Sequence, residues 1–155
     1  MELGTLLADP ALTAIGLALA LGLLVGVQRG WALRAEQDGA RFAGIRTFGL
    51  LGLAGGIAGA LQQRAEGLAT VLLAATGALV VMGYWRSTQR NPSISGTASL
   101  VGLLTLACGF LAGSGSFALA SAATGVMVMI LAMRNQLHGW VGALDEREVL
   151  AIARF

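Results

Sequence analysis

The chain has 155 residues, of which 56% are hydrophobic and only 12% are charged, and its mean hydropathy is +0.77. A soluble domain usually has about 25% charged residues, so this composition predicts an integral membrane protein folded as one all-α helical bundle. All ten basic residues are arginine, and the formal charge is +2. These arginines are scattered and form no dense basic face, so no nucleic-acid partner is expected.

A bilayer core about 30 Å thick requires roughly 17 to 25 apolar residues per helix, and the chain contains five apolar runs near this length, of which the second and the fourth are short at their strictly apolar limits. Glu2 and Asp9 precede the first run without any basic residue, so it lacks the features of a signal peptide and is predicted to remain as a span. The third run is bulky and is expected to face lipid more than the others. The predicted transmembrane helices lie near Ala11–Val27, Gly44–Leu61, Gly67–Tyr84, Ala98–Ala112 and Phe117–Met133, with Gly113–Ser116 as a tight turn between the last two.

The distribution of arginine predicts the orientation of these spans. Nine arginines follow the first, third or fifth span, and only Arg64 lies on the other side. Because basic loops are translocated poorly, the N-terminus is predicted to lie outside and the C-terminus in the cytoplasm. Asp145 and Glu148 have the spacing of a capping box and predict a short C-terminal amphipathic helix. That segment is either interfacial or the first turns of a sixth element.

Small residues recur at helical spacing inside the predicted spans. In lipid, small residues allow two helix backbones to approach closely and to gain van der Waals contacts. Glycine lowers helix propensity, so its repeated use indicates helix packing. The predicted packing residues are Gly22, Gly26, Gly30, Gly52, Gly56, Gly109 and Gly125, accompanied by Gly55, Gly59, Gly102, Gly113, Ala118, Ser121 and Ala122.

Few residues in the spans have side chains suited to catalysis. No acidic residue lies deep in a predicted span, and the chain has one cysteine, Cys108, and one histidine, His138. This pattern does not bring together a nucleophile with a base, and it does not bring together a set of metal ligands. We therefore expect no enzyme activity, no metal and no cofactor.

The candidate polar site lies between the first two spans. Gln28 and Arg29 end the first span, and Arg46 and Thr47 begin the second on the same side of the membrane. An amide and two guanidinium groups at one depth suit an anion, a lipid phosphate or a partner carboxylate. In the alternative interpretation, the arginines extend to phosphate headgroups and Gln28 bonds a backbone carbonyl. Thr97 and Ser99 complete the candidate set.

Two stretches resemble a known family. They are Gly22-Leu-Leu-Val-Gly-Val-Gln-Arg-Gly-Trp31 and Ala43-Gly-Ile-Arg-Thr-Phe-Gly-Leu-Leu-Gly52, and they are similar to the N-terminal membrane domain of the MgtC/SapB family. Gly96–Ser99, Leu137-His138 and the acidic Asp145–Glu148 segment resemble its larger two-part members, which carry a second membrane domain of unknown function. The resemblance covers roughly residues 12 to 155.

The resemblance implies a multi-pass bacterial inner-membrane protein linked to virulence, to growth at low magnesium and, in some members, to regulation of membrane ATPases. It implies no known reaction. Two positions depart from the pattern: Gln28 stands where the family generally has glutamate before the arginine, and Ser99 stands where the two-part members often have glutamate after two threonines. If those carboxylates carry the family's activity, this protein has lost or altered it. The two-part members also continue past the position of Phe155, which suggests half of a split system.

Two functions follow from these observations. The first is a non-enzymatic membrane protein that associates through its small-residue faces with another membrane protein or with a second copy of itself. On this hypothesis, Gly26→Leu or Gly56→Leu should abolish the association. The second is a transport or channel component with a polar or anion-binding path near Gln28 and Arg46. Membrane lipids are the expected surroundings in both cases.

Overall fold

The computed structural model describes residues 9–32, 43–90, 96–134 and 136. The regular secondary structure in these ranges is helical, as predicted, with no strand among them. The predicted C-terminal amphipathic helix lies outside the described residues. The described helices are α1 (Pro10–Ala32), α2 (Ile45–Leu61), α3 (Glu66–Arg90), α4 (Thr97–Gly113) and α5 (Phe117–Ala132).

Local sequence signals explain where two of these helices begin and end. The Asp9 carboxylate accepts a hydrogen bond of 2.8 Å from the Ala11 backbone N–H, so Asp9 caps α1, and Pro10 occupies the first helical position, where its missing N–H costs nothing. The predicted tight turn after α4 is present at Ser114 and Gly115. Gly115 has a φ of +88°, and the Ser116 N–H donates back to the Leu111 carbonyl at 2.8 Å, which is a Schellman C-cap.

Consecutive helices run in opposite directions. One cluster of buried side chains joins the C-terminal halves of α1, α3 and α5 to the N-terminal halves of α2 and α4. A second cluster, formed by Ala18, Ala112 and Ala120, lies nearer the other end. The end of the bundle nearer the first cluster is called the arginine end, because four arginines lie at or next to it. They are Arg29, Arg46, Arg86 and Arg134. The first cluster contains Val25, Phe48, Leu51, Val80, Val101 and Met127.

Glycines bring α1 against α2. A Cβ added at Gly22 would overlap the Phe48 carbonyl oxygen, and one added at Gly52 would overlap the Ala18 carbonyl oxygen. A Cβ at Gly26 would lie 2.8 Å from the Ile45 Cα, closer than real Cβ contacts. The two backbones are therefore in direct contact, and the glycine Cα hydrogens lie against carbonyl oxygens, a weak attraction worth about 0.5–1 kcal/mol each.

A neighbouring face of α2, which shares Gly52 and Gly56 with the first, packs on α4 in the same manner. Cβ atoms added at Gly55 or Gly59 would overlap carbonyl oxygens of α4, and those added at Gly109 or Gly113 would overlap carbonyl oxygens of α2. Because α2 is flanked on two sides by closely packed backbones, it is the central helix of the bundle. At the points where these backbones touch, a side chain would overlap main-chain atoms of the neighbouring helix.

The third helix lies at the edge of the bundle. Among the side chains described in α3, only Ala69 and Val80 are buried, in agreement with the expectation that this segment faces lipid. By length and composition, α1 and residues Glu66–Gln89 of α3 are suited to cross a membrane. The other apolar helices have 16 or 17 residues, near the lower limit of about 17 for a span.

Candidate functional site

The predicted polar residues lie on three helix termini that meet at the arginine end. Val25, Phe48 and Val101 belong to one buried cluster, which brings the end of α1 next to the beginnings of α2 and α4. Gln28 and Arg29 therefore share one end of the bundle with Arg46, Thr47, Thr97 and Ser99. The individual side chains, however, differ in what they face.

Gln28 is a partly enclosed polar group at this end of α1. The side chain is half-buried, and its Oε1 atom is buried with no hydrogen-bond partner among the described residues. A buried acceptor without a donor costs roughly 1–3 kcal/mol, so this oxygen is suited to receive a hydrogen bond from water or a ligand. Arg29, the next residue, is also half-buried.

Arg46 and Thr47 begin α2 and are both exposed. The flanking Ile45 and Gly49 contact α1, whereas Thr47 lines a groove between α2 and α3. Successive side chains on a helix are about 100° apart, so Thr47 is turned away from the α1 contact. Thr47 therefore belongs to the groove and not to the surroundings of Gln28.

Thr97 and Ser99 lie in the first turn of α4. The Ser99 hydroxyl donates a hydrogen bond of 2.9 Å to the Gly96 carbonyl oxygen, so its proton is used within its own helix terminus. Thr97 is exposed. The described contacts therefore place the six candidate residues at one end of the bundle, with Thr47 in the groove between α2 and α3 and the Ser99 hydroxyl bonded within its own helix terminus.

The predicted packing glycines divide into three groups. Gly22, Gly26, Gly52, Gly56 and Gly109 lie in direct contacts between helices of the chain. At Gly30, an added Cβ would be 3.6 Å from the Ile45 side chain, which is ordinary van der Waals contact. Gly125 is exposed and has no described atom within 4 Å of an added Cβ. A packing role for Gly125 therefore does not come from another described helix of this chain.

These contacts correct one expectation. Gly26 meets Ile45 of α2, and an added Cβ at Gly56 would lie 2.6 Å from the Ala18 Cβ of α1. Both glycines are occupied by contacts within the chain, so Gly26→Leu and Gly56→Leu would disturb the fold itself. They cannot serve as specific tests of association with a partner.

Two buried hydroxyl groups lie deeper in the bundle, about equally far from the turn that joins α4 to α5. The Thr105 hydroxyl donates to the Val101 carbonyl oxygen at 2.7 Å, the usual bond of threonine in a helix. The Thr124 hydroxyl is fully buried and has no hydrogen-bond partner among the described residues. Sequence spacing did not distinguish these two threonines, because both interrupt apolar helices in the same way.

The groove that includes Thr47 was not predicted. It has a volume of about 500 Å³ and is lined by one face of α2 and one face of α3. Apart from Thr47 and Thr76, its lining is leucine, isoleucine, valine, alanine and glycine. The groove arises because α3 packs on α2 without the glycine contacts that draw α1 and α4 close. The bulky side chains of α3 were the sequence signal that could have indicated this groove.

Comparison with known proteins identifies one family. The model described as the MgtC family matches residues 15–140, which is more than half of the chain. The matched range contains all six candidate polar residues and every close glycine contact described above. No curated protein and no solved structure matches the chain significantly.

Proposed function

This chain belongs to the MgtC family, and from that premise we propose that it is a multi-pass bacterial inner-membrane protein that acts without catalysis. It functions by packing one of its helices against another membrane protein or against a second copy of itself. The magnesium-related or ATPase-related setting of this activity is inferred from the family resemblance alone.

The exposed surface of the bundle supports insertion in a membrane. Large apolar side chains are exposed along the helices, for example Leu50 at 62%, Val71 at 64% and Leu79 at 65%. Soluble monomers rarely expose large continuous apolar patches, whereas lipid solvates such side chains without cost. In this proposal all five helices cross the membrane, with the N-terminus outside and the C-terminus in the cytoplasm.

The proposed association is supported by the outward face of α5. Ala120, Thr124 and Met127 are the buried stripe of this helix, and the small residues lie on the other side, where they are exposed. In α1, α2 and α4, glycines at the same spacing contact neighbouring backbones, but no described atom lies near Gly125. A helix of a partner can pack against the part of this face that precedes the exposed Met129, where the side chains are small. The exposed small residues are Ala118, Ser121, Ala122 and Gly125.

Cysteine cross-linking in native membranes tests this association. In a Cys108→Ala background, Ala122→Cys should form a dimer or a discrete adduct with another membrane protein, and adding Gly125→Leu should reduce the yield strongly. Ala75→Cys, on the exposed side of α3, is the matched control and should cross-link weakly. Gly16→Leu, which meets no described atom within 4 Å, should leave the yield unchanged. A monomer at both cysteine positions, or a yield indifferent to Gly125→Leu, contradicts the proposal.

A second candidate function is a transport or channel component, favoured by the buried, unpartnered Oε1 of Gln28. On this alternative, liposomes containing the protein show ion or anion flux, and Gln28→Leu reduces it at least severalfold because the path loses its hydrogen-bonding group. Gln89→Leu removes an exposed amide at the same end of the bundle and should not change the flux. Absence of flux under every applied gradient would eliminate this candidate.

A further inference from the structure

We propose that the groove between α2 and α3 binds one acyl chain of a phospholipid, whose phosphate group is bound at the arginine end by Arg46 and Arg86. This site is separate from the α5 face proposed for association. The inference depends on the dimensions of the groove, on its lining and on the charges at its mouth.

The length of the groove corresponds to one leaflet of a bilayer. Its lining runs from Thr47 to Ile57 on α2 and from Leu72 to Gly83 on α3. At 1.5 Å per residue, each wall is about 15 Å long, which is half of a hydrocarbon core about 30 Å thick. The groove begins near the first turn of α2, so it lies in the leaflet on the arginine side.

The lining favours a lipid chain. Apart from Thr47 and Thr76, the residues that line the groove are leucine, isoleucine, valine, alanine and glycine, and its volume is about 500 Å³. A single acyl chain is narrow and apolar, and it matches walls formed by side chains such as Leu50 and Leu79.

The charges at the mouth suit a phosphate group. Neither arginine lines the groove itself, but Arg46 directly precedes the lining residue Thr47 on α2, and Arg86 follows the lining residue Gly83 by one turn on α3. Both arginines are exposed. In the part of the chain that the structure describes, the only acidic residues are Asp9 and Glu66, and both lie at the opposite end of the bundle. Guanidinium groups bind phosphate oxygens with charge-assisted hydrogen bonds.

Native mass spectrometry of the full chain in detergent tests the site. The probes are phosphatidylglycerol and a diacylglycerol with the same acyl chains but no phosphate. We expect one retained phosphatidylglycerol, bound roughly tenfold or more tightly than the diacylglycerol. Ala54→Trp fills the groove and should remove this lipid, whereas Ala78→Trp, on the exposed side of α3, should retain it.

The headgroup is tested separately. The Arg46→Gln/Arg86→Gln double variant should lose the preference for phosphate while still binding the acyl chain. Arg64→Gln, a change at the opposite end of the bundle, should keep the preference. Burial of Cys108 serves as the folding check for every variant. Equal lipid retention in Ala54→Trp and Ala78→Trp would overturn the proposal. The proposal would also be overturned if Ala54→Trp lost a dimer while its bound lipid did not change.

Discussion

Gly52→Leu is expected to abolish the native packing of the bundle. Gly52 contacts both neighbours of the central helix, because an added Cβ would overlap the Ala18 carbonyl oxygen of α1, and its own carbonyl oxygen occupies the space beside Gly109 of α4. A leucine there meets backbone atoms, which cannot rotate away as a side chain would. Overpacking in a core typically costs about 1–3 kcal/mol, and we expect the upper end here because the obstructing atoms belong to the α1 backbone.

The sole cysteine provides the measurement. Cys108 is buried and precedes Gly109 at the contact with α2, so its reaction with a maleimide in detergent reports whether α4 remains packed. We expect slow modification in the wild-type chain and fast modification in Gly52→Leu. Gly16→Leu is the matched control, since an added Cβ at Gly16 meets no described atom within 4 Å. Equal protection of Cys108 in the two variants would show that the close contact of Gly52 with α1 is not required to keep α4 packed on α2.

The helices themselves could be predicted from the sequence because the signals for them are local. Long apolar runs and the Gly113–Ser116 turn each act within a few residues, and every helix begins within one residue of the predicted position. The ends of α1 and α3 lie five and six residues beyond the predicted ones. The packing faces could not be predicted in this way. Gly22 and Gly125 are the same residue in similar apolar helices, but only Gly22 contacts a neighbouring backbone. That difference depends on how each helix is rotated about its axis.

The candidate polar site shows the same limit. The order of the chain places Gln28 and Thr47 on termini that meet, and the structure brings those termini together at the arginine end. Helical geometry then separates the two side chains, because the face of α2 that contacts α1 is not the face that carries Thr47. The sequence predicts how far along a helix a residue lies better than it predicts which face of the helix carries its side chain. The groove beside α3 was missed for this reason.

We expect the two ends of the bundle to lie on opposite sides of the membrane, so that a membrane-impermeant reagent labels one end and not the other in intact spheroplasts. Consecutive helices alternate in direction, so the exposed Gln63 and Ser116 lie at the end opposite to Gln89. Arg64 is the only arginine described at the first of these ends. Because translocation of basic segments is disfavoured, the arginine end should face the cytoplasm.

In a Cys108→Ala background, a membrane-impermeant maleimide should therefore label Gln63→Cys and Ser116→Cys in intact spheroplasts. Gln89→Cys should react only after permeabilisation, and all three should react fully in detergent, which controls for accessibility. Labelling of Gln89→Cys alone in intact spheroplasts would show the opposite topology, with Arg46 and Arg86 in the outer leaflet. Partial labelling of all three positions in intact spheroplasts would indicate dual insertion, which the excess of arginine at one end argues against.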